Sequence, residues 1–206
     1  MSEVRNLRER TRRAVRTEIT EAAERLFTER GYDATTIDDI AAEVGMSSRS
    51  VFRYFATKED LLIGKFDNAA DALLTALQQR PTGEPLWASL RAAFDVFVPD
   101  DSTPDKAQMA SRIHEVVFET PAVFGRYLQK LQRLQDDIET LVRARDDSGA
   151  SYAMTDPTLR AVIGAAFACL LAAQRTWLYA RGADTFTRIL DRAMTAIPIL
   201  SRPNKK

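Results

Sequence analysis

The chain has little of what an active site is ordinarily built from. Among its 206 residues there is one cysteine, Cys169, and one histidine, His114. A single cysteine excludes an internal disulfide and suits a reducing compartment. Cys169 reads as a small buried hydrophobe rather than a redox sensor. His114 has no second ligand of matching type near it, so metal binding is not expected; core packing or a polar pocket contact fits it better. There is no phosphate-cradling glycine loop, dinucleotide fingerprint or nucleophile motif. An enzyme is therefore not expected, and neither are catalytic residues, a metal or a cofactor. Net charge is absent as well: 29 Lys and Arg balance 29 Asp and Glu, unlike a protein that coats nucleic acid by charge alone. The longest uncharged run, Ala161 to Gln174, falls short of the ~20 residues of a membrane span. The start is arginine-rich rather than apolar, so no secretory signal is expected. A cytoplasmic protein without a membrane partner follows.

What is present is helical periodicity, punctuated by 8 Gly and 8 Pro that lie mostly between the periodic stretches. That favours an all-α chain, and 45% hydrophobic residues are enough for one or two cores. The informative stretch is Thr35 to Lys58. A short helix from Ile37 to Val44 is opened by Thr36, whose hydroxyl can accept from an early N–H. Gly45 follows, where a left-handed backbone is inexpensive without a Cβ. Ser47 caps a second helix that is expected to carry Val51, Phe52 and Phe55 inward and to leave Ser48, Arg49, Ser50 and Arg53 facing out. Small hydroxyls let a backbone approach base edges, and arginine can fork onto guanine. This is a helix-turn-helix with its second helix as reader. A plain helical hairpin is the alternative. Thr36, at a helix N-terminus, is a candidate phosphate contact.

GYDATTIDDIAAEVGMSSRSVFRYFATKEDLL, together with ERLFTER just before it, resembles the N-terminal DNA-binding domain of the TetR family of repressors over about residues 12–65. The resemblance implies a three-helix DNA-binding domain over residues 10–58 and adds Tyr54 and Lys58 as phosphate contacts. Two departures bear on base preference. Phe52 stands where the family often has tyrosine, and Arg53 stands where an aromatic is more usual.

Upstream, a helix from about Thr11 to Arg30 presents Val15, Ile19, Ala22, Ala23, Leu26 and Phe27 on one stripe and stops at Gly31. Residues 1–10 read as a frayed polar tail. The crowd of Arg5, Arg8, Arg10, Arg12, Arg13 and Arg16 is either a solvated face or a basic arm lying along phosphates. Downstream, Thr57 caps a helix expected to continue unbroken to about Gln79, a lever from Lys58 into the second domain. Further helices are expected after Pro85, over Pro104 to Glu119, and from Pro121 to about Arg145. Asp156 and Pro157 open another, and Asp184 is expected to cap the last, which Pro198 ends. The sum is about nine helices, with residues 59–201 forming a helical ligand-binding and dimerisation domain.

AVIGAAFACLLAAQ has no polar face before Gln174. A helix apolar all round must be covered all round, which implies a second subunit. Homodimerisation is expected through about 157–180 and 185–197, as the last two helices do in the TetR family. Two identical heads would read a palindromic double-stranded operator. Aromatics gather in the middle helices. Most are core, but Trp87, Phe94, Met109, His114, Phe118, Phe124, Tyr127, Phe167 and Trp177 are candidates to line an apolar pocket. RIHEVVFETPAVFGRYLQKLQRLQDDIETLV and DPTLRAVIGAAFACLLAAQRTWL resemble, over about residues 105–195, a C-terminal domain of actinobacterial TetR-type regulators, the mycofactocin-regulator group. That resemblance implies a small hydrophobic effector of the acyl-CoA kind. Arg112, Arg126, Lys130, Arg133 and Arg175 are available for a phosphorylated head. The expected function is a homodimeric repressor released by such a ligand; the alternative is a DNA-binding dimer that is constitutive or switched by another protein.

Overall fold

The computed structural model describes residues 2–99, 102–145 and 156–197, without the side chains of residues 2–6, 8, 9 and 65. Among the described residues there are ten α-helices, one short 3-10 helix and no strand. The chain divides into two compact units: Met1–Asn68 with Asp100–Tyr127, and Ala69–Pro99 with Leu128–Lys206, each taken over its described residues. By compactness the first unit thus reaches Asn68 and includes the described residues of the segment ending at Tyr127.

The first unit is built on α1 (Ser2–Arg30). This helix begins well before Thr11, because nothing before Gly31 breaks it and arginine and glutamate are good helix formers. Ile19, Ala22, Ala23, Leu26 and Phe27 are buried on its inner stripe. Gly31 stops the helix at φ 89°. The buried Thr35 hydroxyl closes the following turn on the carbonyls of Leu26 and Gly31. Then come α2 (Ile37–Glu43), α3 (Ser48–Phe52) and α4 (Lys58–Leu62). α7 (Pro104–Glu119) packs on α1, and Arg112 on it donates to the Thr28 carbonyl in the last turn of α1 at 2.5 Å. Arg112 is thereby occupied by the fold.

The expected continuous helix from Thr57 to Gln79 is broken. α4 ends at Leu62, and α5 (Lys65–Gln78) starts after Ile63 and Gly64. Gly64 is buried, and a Cβ built there would lie 2.8 Å from Thr20 Oγ1 and 2.9 Å from the Phe55 ring. Thr20 of α1 and Phe55 after α3 crowd this junction and leave no room for a Cβ, which apolar periodicity does not report.

In the second unit, α6 (Leu86–Ala93) gives way to a 3-10 turn over Phe94–Phe97. α8 (Pro121–Arg145), whose residues up to Tyr127 belong to the first unit, begins where its proline predicts. The loop expected beyond it, and the stop at Pro198, lie outside the described residues. α9 (Thr158–Ala180) and α10 (Phe186–Thr195) pack tightly on each other. Asp156 accepts from the Thr158 N–H at 2.9 Å, so Pro157 sits at the cap rather than in the first turn. The cap of α10 is Thr185, not Asp184, and its hydroxyl accepts from the Arg188 N–H. Asp184 instead forms ion pairs with Arg188 and Arg192. The αL backbone at Arg181 and Gly182, with φ 46° and 84°, makes the turn between the two helices.

Candidate nucleic-acid interface

α3 is five residues long and could not persist alone, since isolated helices need about 12–15 residues even when rich in alanine. It is held from both ends. Before it, Gly45 at φ 65° turns the chain, and the Met46 N–H reaches back to the Ala41 carbonyl at 2.8 Å. Ser47 is its extended N-cap, with Oγ accepting from the Ser50 N–H at 3.2 Å. Beneath it, Val51 and Phe55 are buried at i and i+4. Arg49 and Arg53 are exposed on the opposite side, with Ser48 and Ser50 half-buried beside them. The four expected base-reading residues therefore share one short surface.

Phe52 departs from expectation. It is 51% exposed, not part of the inward set, because it lies about 100° of helical turn from Val51. The exposed surface of this segment thus carries an aromatic ring as well as the two arginines, and an apolar ring is a suitable neighbour for a thymine methyl. Ser48 also differs from a free hydroxyl: its Oγ–H donates to the Asp38 carboxylate of α2.

The three expected phosphate contacts fare differently. Thr36 caps α2 in a full capping box. Its Oγ accepts from the Asp39 N–H at 3.1 Å, while its own N–H and O–H donate to Asp39 Oδ2 at 2.8 and 2.6 Å. Those hydrogen bonds hold the Asp39 carboxyl below its usual range. Both Thr36 donors are engaged, and a carboxylate already sits where a phosphate was expected. Tyr54 is half-buried. With Leu7, Thr11, Arg12 and Arg53 it lines a groove of about 430 Å³ that joins the start of the chain to the end of the reading helix. Lys58 is the first residue of α4, and the Thr57 hydroxyl accepts from the Asp60 N–H. Its Nζ lies 4.2 Å from the Tyr32 ring centroid and 5.9 Å from that of Phe27, and donates weakly to the Asp33 carbonyl. Partial burial lowers its pKa, against the opposing pull of Asp33 and Glu59. Burial, with Glu59 beside it, raises the Tyr32 phenol above its usual value.

Arg16 is not part of a phosphate-seeking arm. Its guanidinium donates to the Tyr54 carbonyl at 2.5 Å and to Asp67 at 2.7 Å, and stacks 4.3 Å from the centre of the Phe55 ring. It clamps the end of the reading segment onto α1. Arg10, Arg12 and Arg13 stay exposed; the side chains of Arg5 and Arg8 lie outside the described residues.

The nine expected pocket residues are divided between the two units. Met109, His114, Phe118, Phe124 and Tyr127 belong to the first unit, and Trp87, Phe94, Phe167 and Trp177 to the second. In the first, Phe66 packs 4.6 Å from Tyr127, Phe118 packs 5.5 Å from Phe124, and Phe118 meets Tyr127 edge-on at 6.3 Å. Buried His114 points Nδ1 at the Ala110 carbonyl, 2.8 Å away. A carbonyl only accepts, so the proton sits on Nδ1. In the second, Phe94 and Phe167 meet edge-on at 5.2 Å. Tyr127 and Phe94 are wholly buried, as core residues are; Met109 and Trp177 are half-buried. Among the described residues no group of three or more His, Cys, Asp or Glu is placed to hold a metal.

α9 corrects the reading of its apolar run. As a helix of 23 residues it is long and apolar enough to cross a membrane by length and composition. It packs against α6 and α10 and pairs with α8 through Arg160 and Glu139. Ala161, Ala168 and Ala172 are exposed, Gly164 and Ala165 are half-buried, and Tyr179 is 78% exposed.

Residues 19–64 match the family model described as bacterial regulatory proteins, tetR family, and residues 84–198, more than half of the chain, match that of the MftR C-terminal domain. The chain belongs to the TetR family of regulators. It is 28% identical over 144 residues to the HTH-type transcriptional regulator TcmR of Streptomyces glaucescens, a match covering 68% of this chain and 64% of that one. It is 25% identical over 163 residues, 78% of each chain, to MftR of Mycobacterium tuberculosis, named for mycofactocin biosynthesis regulation. The chain spans under two thirds of the length of the first curated relatives it matches, 64% and 58%. Among solved structures, the TetR-family repressor FadR of Thermus thermophilus, in complex with lauroyl-CoA, superposes with a TM-score of 0.58 at 18% identity. It covers 93% of this chain and 97% of its own; that likeness is one of fold. These relatives are transcriptional regulators, not enzymes. The family match places a TetR-type helix-turn-helix within residues 19–64, the stretch that holds α2 and α3.

Proposed function

We propose that this TetR-family regulator is a cytoplasmic homodimeric repressor that binds a palindromic operator and leaves it when a small hydrophobic ligand, of the acyl-CoA class, binds the C-terminal domain. The carrying observation is the exposed Arg49 and Arg53 pair on a short helix whose other side is anchored by buried Val51 and Phe55. Arg49, Arg53, Ser48 and Ser50 read base edges. Lys58, oriented by the Tyr32 ring, and Tyr54, beside Arg12, hold the backbone; phosphate contacts position and base contacts specify. The small, uncovered residues of α9 support pairing of two copies through α9 and α10, which presents two reading helices to two half-sites.

The effector belongs to the same proposal. The MftR-type C-terminal domain, and the lauroyl-CoA held by a relative of the same fold, support an acyl-CoA as the first ligand to test. A ligand that binds two conformations unequally shifts their populations by that difference in affinity.

The test is a mobility shift on the DNA upstream of the chain's own gene at moderate salt, repeated with lauroyl-CoA. A sequence-dependent shift that the ligand abolishes is expected. Arg49→Ala should relax base preference, and Lys58→Ala should weaken binding to all sequences about equally. Identical behaviour of the two variants contradicts the division of roles. A shift indifferent to acyl-CoA, with no rise in melting temperature, removes that ligand class and leaves the DNA-binding part standing.

A further inference from the structure

Ser48 opens the reading helix, and its hydroxyl carries a single proton. That proton is directed at the Asp38 carboxylate, ten residues earlier on α2. An ionised carboxylate can only accept, so the direction of the bond is fixed by chemistry. What remains on Ser48 Oγ is lone-pair capacity. A serine in a reading helix ordinarily contacts any base, because its hydroxyl rotates to donate or accept as required. Here rotation is arrested. The neighbouring Ser50 is not arrested in this way: its hydroxyl lies 3.0 Å from that of Ser47, and either oxygen can be the donor.

We propose that Asp38 makes Ser48 an obligate hydrogen-bond acceptor toward DNA, so that the start of the reading helix selects a base presenting an exocyclic amino group, cytosine or adenine, in the major groove. The inference rests on α3 being the DNA-facing helix. In the major groove only cytosine N4 and adenine N6 donate, whereas guanine and thymine offer acceptors at this depth. An acceptor-only Ser48 is matched by the first pair and repelled by the lone pairs of the second. Asp38 is exposed and carries negative charge beside a surface that approaches phosphates. It therefore opposes sequence-independent binding while it sharpens choice. Asp38 is a positioning residue, acting on the base through Ser48.

The experiment is selection from a pool of random duplexes with the full-length chain at about 150 mM salt, where long-range attraction is screened. Wild type, Asp38→Ala, Ser48→Ala and Ser48→Thr are compared, with melting temperatures recorded for each. Wild type should enrich one cytosine or adenine position per half-site that both alanine variants lose together. The discrimination lost should be about three- to tenfold, the size of one neutral hydrogen bond. Ser48→Thr, which keeps the hydroxyl, should retain it. Asp38→Ala should also bind the unselected pool more tightly than wild type. A structural link between α2 and α3 with no role in reading would instead lower melting temperature, specific binding and non-specific binding together, and that pattern overturns the proposal. A wild-type motif that survives both alanine substitutions at every position overturns it as well. If wild type enriches no motif at all, the assignment of α3 as reader fails first, and this inference falls with it.

Discussion

Replacing Gly64 with alanine tests whether the junction of α4 and α5 is as tight as its geometry indicates. The added Cβ would sit 2.8 Å from Thr20 Oγ1, 2.9 Å from the edge of the Phe55 ring and 3.2 Å from the Leu61 carbonyl oxygen. None of the three can yield easily. Thr20 is buried, and a β-branched side chain on a helix has few rotamers to move to. Phe55 is 3% exposed and carries the Arg16 guanidinium 4.3 Å from the centre of its ring. The Leu61 oxygen is backbone and already accepts from the Gly64 N–H. Overpacking of this kind costs about 1–3 kcal/mol. The lost freedom of the unfolded chain returns about 0.4–1 kcal/mol, since Gly64 does not need a left-handed backbone. A net destabilisation of about 1–2 kcal/mol remains, a fall in midpoint of roughly 2–8 °C for a chain of this size.

Urea or thermal unfolding measures that loss, and a paired variant isolates its cause. Thr20→Ala removes one of the two closest atoms, so Thr20→Ala with Gly64→Ala should be less destabilised than the sum of the single changes, by about 0.5 kcal/mol or more. The Phe55 contact survives in the double variant. Because Phe55 anchors the segment after α3, Gly64→Ala should also weaken DNA binding in the folded protein. If Gly64→Ala instead matches or exceeds wild type in stability, the close approach of the three elements is wrong and the argument with it.

Arg16→Ala should lower stability by about 1–2 kcal/mol through the lost charge-assisted bonds. It should leave the salt dependence of DNA binding unchanged, whereas loss of a phosphate contact would flatten the slope by about one. Glu84 is held at about 2 by its hydrogen bonds to Arg80 and Ser89. A folded pKa below the unfolded value stabilises above the unfolded value and loses that stabilisation as pH falls. Its share should therefore be intact at pH 6 and disappear between roughly pH 4.5 and 2, with Glu84→Gln abolishing that part of the acid profile. Ala168→Arg places a charge on an exposed position of α9 and should give monomers by sedimentation, with a lower and concentration-independent melting temperature because the partner no longer stabilises the fold; dimers that persist would remove α9 from the proposed interface.

The ends of the long helices were legible because each is marked by a local signal. Thr120 and Pro121 separate α7 from α8 as expected, and Gly31 and Gly45 stand where left-handed turns are needed. Local signals fail where two residues compete or where the deciding atoms are distant in sequence. Asp184 and Thr185 are both good caps, and the choice fell to Thr185 because Asp184 is paired with two arginines one and two turns on. Arg16 reads as one cation of a tail until its partners, 38 and 51 residues away, are known. The break at Gly64 has the same origin: the sequence Leu-Leu-Ile-Gly-Lys-Phe is acceptable to a continuous helix, and Thr20 and Phe55 are what forbid a larger residue there.

The reading surface shows the same division most sharply. Candidate reading residues could be named from α3 alone, but the hydrogen bonds they make within the fold could not. Ser48 looks like an adaptable hydroxyl until Asp38 is placed beside it, and Thr36 looks like an open anion site until Asp39 closes its box. In each case a carboxylate from α2 decides what a hydroxyl can offer. α2 is thus more than a prop for α3: its two first-turn acids engage the hydroxyl protons of Ser48 and Thr36. A base preference carried over from a relative on the strength of α3 alone would omit the part proposed above for Asp38.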